Sequence, residues 1–359
     1  MDPRIVRLDL PSDPYSIHIE NSWTGLAPAI KPFVGNKVML ISDENVKELF
    51  VHDVKEILIS LGCQVSLAII QPGESSKSLE LAKSLYTQAL NANLDRSSSV
   101  VALGGGVVGD LAGFVAATYM RGINFIQLPT TLLAQIDSSV GGKVAVNHPL
   151  AKNIIGSFYQ PKSVFINLHT LRSLSDRQFS TGMAELIKYG FIWDKELLQW
   201  LEHNIGSLME RQKDCLAYAI ERCCNTKAHI VSQDEKEKGL RAILNFGHTI
   251  GHGLESTAGY GQYTHGEAVA LGMVYESLIA YHMGSIDRAL IDLLICLLKA
   301  ANLPTKVSGV KVESLIKAMT HDKKNRDGSI VFILPTGYGQ VKVFDNVDTQ
   351  LIYSVLEGS

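Results

Sequence analysis

The sequence contains no run of about 18 consecutive apolar residues, the length a membrane-spanning helix requires. Its opening, MDPRIVRLDLPSDPYS, carries neither an apolar secretory core nor the Arg/Ser-rich character of a transit segment, so a cytoplasmic protein is expected. An excess of basic residues is missing as well. With 33 Lys+Arg against 36 Asp+Glu, the formal net charge is -3, which argues against a nucleic-acid binder working through a broad basic surface but leaves room for a local basic pocket. Cysteines are few. Cys63, Cys215, Cys223, Cys224 and Cys296 form an odd set with no metal-ligand spacing, which reads as idle thiols in a reducing compartment. Internal repeats and low-complexity segments are also absent. What remains is an ordinary globular composition, 46% hydrophobic over 359 residues, long enough for two domains with sizeable cores.

The first half alternates short apolar runs with amphipathic stretches. The runs fall at 37–42, 64–70, 99–103, 124–128 and 164–168, with helical periodicity over 46–61 and 79–92. That rhythm predicts βαβ units around a mostly parallel sheet. Segments 4–10 and 15–20 look like an antiparallel pair joined through proline-rich turn chemistry. From Ser175, a candidate helix cap, to about Ala300 the periodicity is helical, and only 330–334 and 341–344 read as strands again. The expected organisation is an α/β domain over 1–174 with a Rossmann-like sheet, followed by a mainly α-helical domain over 175–359.

The segment SVVALGGGVVGDLAG, 99–113, reads strand, glycine turn, helix, and Gly104, Gly106 and Gly109 match G-x-G-x-x-G in that context. Small residues there let the backbone approach a pyrophosphate, and the new helix offers free N–H groups to it. The pattern departs from the usual dinucleotide fingerprint in two ways. It lies in a later βα unit, and no acid follows about 20 residues on to hold a ribose. Asp43, just after an earlier strand, is the candidate for that task, although a lone Asp there is more commonly a helix cap. The PGESSK loop, 72–77, follows another strand and is a further candidate for contacts.

Next comes LPTTLLAQIDSSVGGK, 128–143. Thr130 and Thr131 are placed to cap a helix or face a ligand, and Asp137 and Lys143 flank a Gly-Gly turn. The following run through Pro161 sets Lys152 and Asn153 among small residues, and is read as ligand-binding loop at the ends of parallel strands. The helical half concentrates metal donors. His248 and His252 are four apart on one helix face, His265 opens another helix, and Glu185 lies with Lys188 on an apolar helix. Two imidazoles and a carboxylate make a usual catalytic zinc site. Spacing leaves open whether His252 or Glu267 joins the set. The pair lacks the glutamate of H-E-x-x-H, which argues against a metallopeptidase. Arg121, Lys143, Lys152, Lys188, Lys227, Arg241 and Lys323 could together surround a phosphate and a carboxylate, although each alone is an ordinary solvated charge.

Taken together, GGGVVGD, LPTTLLAQIDSSVGGKVAVNHPLAKNIIGSFYQP, GMAELIKYG, RAILNFGHTIGH and HGEAVALGM resemble the 3-dehydroquinate synthase family of sugar-phosphate cyclases, collinearly from about Asp43 to Asn325. The resemblance implies conversion of 3-deoxy-D-arabino-heptulosonate 7-phosphate to 3-dehydroquinate and phosphate. The reaction runs through transient oxidation by NAD, phosphate elimination, re-reduction and intramolecular aldol cyclisation. It implies recycled NAD, one divalent metal (zinc or cobalt) and a homodimer. Metal ligands then fall on Glu185, His248 and His265, and His252 becomes a substrate contact. NAD contacts fall on Asp43, on Pro72, Gly73, Glu74, Ser75, Ser76 and Lys77, and on Gly105, Gly106, Val107, Val108, Gly109 and Asp110. Further NAD contacts are Thr130, Thr131, Lys143, Lys152, Thr170, Leu171, Arg172 and Ser173. Substrate contacts fall on Arg121, Asp137, Lys152, Asn153, Lys188, Lys227, Glu237, Arg241, Asn245 and Lys323. One departure is Gly253, in HGLE at 252–255, where the family more often has Ala; it should loosen that helix by roughly 1 kcal/mol. Three rival readings remain: a cyclase with another sugar phosphate, a metal-dependent alcohol or glycerol dehydrogenase, and a catalytically idle NAD-binding scaffold.

Overall fold

The computed structural model describes residues 3–258, 262–320 and 330–358. The chain divides into two compact units, one of residues 1–174 with 216–236, the other of residues 175–215 with 237–359.

In the first unit seven strands form one sheet, ordered β1-β2-β9-β6-β5-β3-β4. They are β1 (Arg4–Leu8), β2 (Tyr15–Glu20), β3 (Lys37–Asp43), β4 (Gln64–Ile70), β5 (Ser99–Gly104), β6 (Asn124–Pro129) and β9 (Ser163–Asn167). β1 and β2 pair antiparallel, and every other pairing is parallel. All positions of β5 and β9 are buried, the signature of strands covered on both faces. Along β3, Met39 and Ile41 enter a core shared with the Leu79–Asn91 and Gly106–Thr118 helices. Val38 and Leu40 enter the opposite core, with the His52–Ser60 helix, as the two-residue pleat requires.

Two features differ from the sequence reading. The lysine- and glycine-containing run after Gly142 is not loop. It forms an antiparallel hairpin of β7 (Lys143–His148) and β8 (Ala151–Phe158), exposed along most of β8 and therefore without the apolar alternation that marks a half-buried strand. Residues 216–236, expected within a contiguous second domain, group with the first unit. Their side chains say why: Glu221 pairs with Arg4 at 2.5 Å, Lys227 with Asp137 at 2.7 Å, and Gln160 donates to Glu235 at 2.9 Å. Helical periodicity reports that a face is buried, not what buries it.

The second unit is built of helices Asp176–Ile192, Lys195–Met209, His248–Thr257, His265–His282, Arg288–Ala300, Val312–Thr320 and Thr349–Glu357, with a hairpin of β10 (Phe332–Gly337) and β11 (Gln340–Phe344). Ser175 caps the first of these helices through Gln178 N–H. That helix is buried continuously from Phe179 to Ile192, polar Ser180, Thr181, Glu185 and Lys188 included, and His265–His282 is nearly so. The latter packs so closely on the turn before His248 that a Cβ at Gly272 would lie 1.9 Å from the Gly247 carbonyl oxygen. Among the described residues no helix is long and apolar enough to cross a membrane.

Candidate active site

Three donor-bearing side chains meet inside the second unit. Glu185 projects from the Asp176–Ile192 helix with no solvent exposure. His248 opens its helix directly after Gly247, whose positive φ of 81° suits glycine. His265 opens another, capped by Thr264 in a reciprocal arrangement with Glu267. Glu185 Oε1 lies 3.1 Å from His265 Nε2 and 3.5 Å from His248 Nε2. One ligand atom from each of the three residues falls within 4.8 Å of the others. Two imidazoles and a carboxylate converging on one point are the donor set of an open divalent-metal site. Lys188 makes a close ion pair with the same glutamate. Behind the cluster, His265 Nδ1 lies 3.6 Å from Glu255 Oε2. Burial alone would lower the His265 pKa, but Glu185 and Glu255 outweigh it and push it up to about 10.

Glu267 is otherwise engaged: it caps its own helix and takes a two-pronged contact from Arg177, at 2.8 Å on each oxygen. His252 stands beside the cluster, its ring centroid 5.4 Å from that of His248. Glu237 Oε1 accepts from Asn245 Nδ2 at 3.0 Å, and Arg241 is buried. Lys323 lies outside the described residues.

The first unit carries the glycine turn. β5 ends at Gly104 and the Gly106–Thr118 helix begins with Gly105 as its cap residue, which offers no side-chain cap bond. Its first-turn N–H groups are left for an anion. A Cβ at Gly105 would come 3.0 Å from Thr131 Cγ2, and one at Gly106 would come 3.0 Å from Ser138 Oγ, a buried hydroxyl without a hydrogen-bond partner. The bare backbone therefore keeps open a cradle that any side chain would fill. Because β3 pairs with β4 on one side and β5 on the other, the strand order reverses here, and Asp43 stands at the end of the neighbouring strand. Such a switch point is where α/β sheets bind ligands. Asp43 does cap the following turn, accepting from Asn45 and Val46 N–H.

Lys77, in the 72–77 loop, reaches Asp110 Oδ2 at 2.7 Å and Asn153 Oδ1 at 2.5 Å. Burial lowers its pKa, but the Asp110 and Glu74 carboxylates outweigh that and leave it above the ordinary lysine value. Thr130 N–H bonds Gly104 O, and Thr170 Oγ1 accepts from Gln135 Nε2. Val108 and Leu171 have no exposed surface. Arg172, Ser173, Lys143 and Lys152 are exposed. Arg121, Asn153 and Glu237, all substrate contacts by resemblance, adopt φ of 65°, 53° and 54°. Left-handed backbone at non-glycine residues costs about 1–3 kcal/mol and gathers at functional sites.

Two family models match the chain: 3-dehydroquinate synthase N-terminal over residues 67–181, and 3-dehydroquinate synthase C-terminal over residues 182–325. The chain belongs to the 3-dehydroquinate synthase family. A 3-dehydroquinate synthase of Caldanaerobacter subterraneus subsp. tengcongensis is 48% identical over 344 residues, 96% of each chain. Among solved structures, 2-epi-5-epi-valiolone synthase from Streptomyces hygroscopicus subsp. jinggangensis, with NAD+ and Zn2+ bound, matches with a TM-score of 0.89 at 26% identity, over 99% of this chain and 98% of that one. A 2-deoxy-scyllo-inosose synthase complexed with carbaglucose-6-phosphate, NAD+ and Co2+ matches with a TM-score of 0.89 at 28% identity, over 99% of this chain and 100% of that one.

The fold thus brings Glu185, His248 and His265 of this 3-dehydroquinate synthase family member together, and separately gathers Glu74, Lys77, Asp110 and Asn153. Sequence reasoning passed over Glu276. It has no exposure, and it accepts from Gly247 N at 2.7 Å and Ile250 N at 3.2 Å, fixing the turn that presents His248. Its signal was present: a lone carboxylate in the apolar stretch ALGMVYESLIA. Glu255, the last residue of HGLE, carries no such signal in the sequence.

Proposed function

We propose that this chain is itself a 3-dehydroquinate synthase, converting 3-deoxy-D-arabino-heptulosonate 7-phosphate to 3-dehydroquinate and phosphate. The observation that carries the reading is the Glu185–His248–His265 cluster, with Lys188 against its carboxylate, in a chain of this family. These three residues would hold one divalent cation, zinc or cobalt. The glycine turn with Asp43, Glu74, Lys77 and Asp110 would hold NAD. When bound, the two groups supply polarisation of the substrate's oxygens and a reversible hydride acceptor.

The protein's own residues do the rest. Lys152, Asn153, Lys188 and Lys323 bind and orient the phosphate, lysines as point charges and Asn153 through its amide. Arg241, Lys227 and Asn245 bind the carboxylate and ring hydroxyls. Glu237 and His252 hold the protons exchanged at the ring oxygens, and Arg121 and Asp137 shape the substrate side. Lys227 reaches its place through Asp137, whose Oδ1 and carbonyl oxygen it meets at 2.7 and 2.6 Å. Ring closure then requires mainly that the acyclic chain be held in a reactive fold. We further propose a cytoplasmic homodimer, to be checked by sedimentation.

The test is phosphate release from that substrate with NAD at about one-hundredth of its concentration, before and after chelation. Release needing both NAD and metal, without net NADH, is expected. NADH accumulating in step with product, and no phosphate, would instead favour a dehydrogenase.

A further inference from the structure

Asn147 lies in the VNHPLAKN stretch and has been given no task. Strand β7 breaks its ladder register with β8 between Val146 and His148, the kind of irregularity that re-aims a side chain next to a functional site. There Asn147 faces two ways. Its backbone N–H donates to Lys77 O at 2.7 Å, and its Nδ2 donates to Glu74 Oε1 at 2.8 Å. Its Oδ1 accepts from the backbone N–H of Asn153 at 2.8 Å. Asn153 is held at its other end by Lys77 Nζ, and it keeps a left-handed backbone that needs such support.

We propose that Asn147 is a positioning residue that couples the 72–77 loop to Asn153, so that a dinucleotide held by Glu74 and Lys77 sets the orientation in which Asn153 meets the substrate phosphate. The task calls for one side chain with a donor on one side and an acceptor on the other. An amide meets that need, and a carboxylate in its place would lose the donated bond. This inference rests on the function proposed above.

The test uses the full chain with NAD and metal, in the variants Asn147→Ala, Asn153→Ala, the double variant and Asn147→Asp. Substrate KM, kcat and the NAD dissociation constant without substrate are measured for each. Asn147→Ala should raise substrate KM about tenfold with little change in kcat, yet change KM by less than about twofold in the Asn153→Ala background, because coupled residues are not additive. Asn147→Asp keeps the acceptor for Asn153 but sets a carboxylate against Glu74. It should bind NAD about tenfold more weakly while its substrate KM at saturating NAD stays near wild type. Equal effects of Asn147→Ala in both backgrounds, or none in the wild type, overturn the proposal. Should that variant fail to fold, a KM for Asn147→Asp as high as that of Asn153→Ala overturns it equally. A wild-type protein that releases no phosphate sinks the functional reading, and this coupling with it; an active wild type with additive variants sinks the coupling alone.

Discussion

His265 is held between two carboxylates, Glu185 at 3.1 Å on Nε2 and Glu255 at 3.6 Å on Nδ1. An imidazole that ligates through one nitrogen is oriented by what the other meets, and removing such support typically costs 10–100-fold in metal affinity. Glu255→Gln, which removes charge but keeps an acceptor, should therefore weaken zinc binding about tenfold in competition with a chromophoric chelator. His248→Ala should abolish stoichiometric metal. Unchanged metal content in His248→Ala would refute the ligand set. The cysteines test the opposite expectation, that of inertness. Burial pushes the Cys224 thiol up to about 12, so at pH 8 only about one molecule in ten thousand carries the reactive thiolate. In the native protein Cys296, which is exposed, should react with a thiol reagent, while Cys224 should wait for unfolding. Rapid native labelling of Cys224 would contradict the burial.

Elements were legible where local chemistry decides them. Strands β3, β4, β5, β6 and β9 are short, mainly apolar runs, and the turn after β5 announces itself by its glycines, because both signals lie within a few residues. The β7–β8 hairpin was missed because β8 is exposed along most of its length and shows no apolar alternation, and the pairing of residues 216–236 with the first unit was missed because it depends on partners far away in sequence. Helix packing in the second unit yields a contrast between two glycines. A Cβ at Gly272 would strike the Gly247 backbone oxygen at 1.9 Å, and backbone cannot swing aside. At Gly253 a Cβ would meet Leu315 Cδ1 at 2.7 Å and Met319 Cγ at 3.0 Å, flexible side-chain atoms that can shift. Gly272→Ala should thus cost about 2–3 kcal/mol in urea denaturation and loosen metal binding by disturbing the turn before His248. Gly253→Ala should fall within about 1 kcal/mol of neutral, its helix-propensity gain offset by the crowding. Equal destabilisation by the two would mean that neither contact is as rigid as the geometry states.

At the scale of the molecule, the chemistry divides between the units. Every ligand atom of the cation cluster belongs to 175–215 or 237–359, and the glycine turn with its 72–77 loop belongs wholly to 1–174. Nothing in the sequence announced that the two clusters fall in different units beyond the change of periodicity near Ser175, since the donors of each cluster are scattered over tens of residues. It has a consequence for cofactor removal. The backbone N–H groups, Lys77 and Asp110 that would hold a dinucleotide stay in place when a metal bound at Glu185, His248 and His265 is stripped. Chelation should therefore abolish phosphate release, and zinc or cobalt should restore it, while NAD affinity measured by titration shifts by less than about threefold, below the range typical of allosteric coupling. An NAD affinity that collapses with the metal would show instead that occupancy of the cation cluster is transmitted to the glycine turn. The division of labour between the two units would then have to be given up.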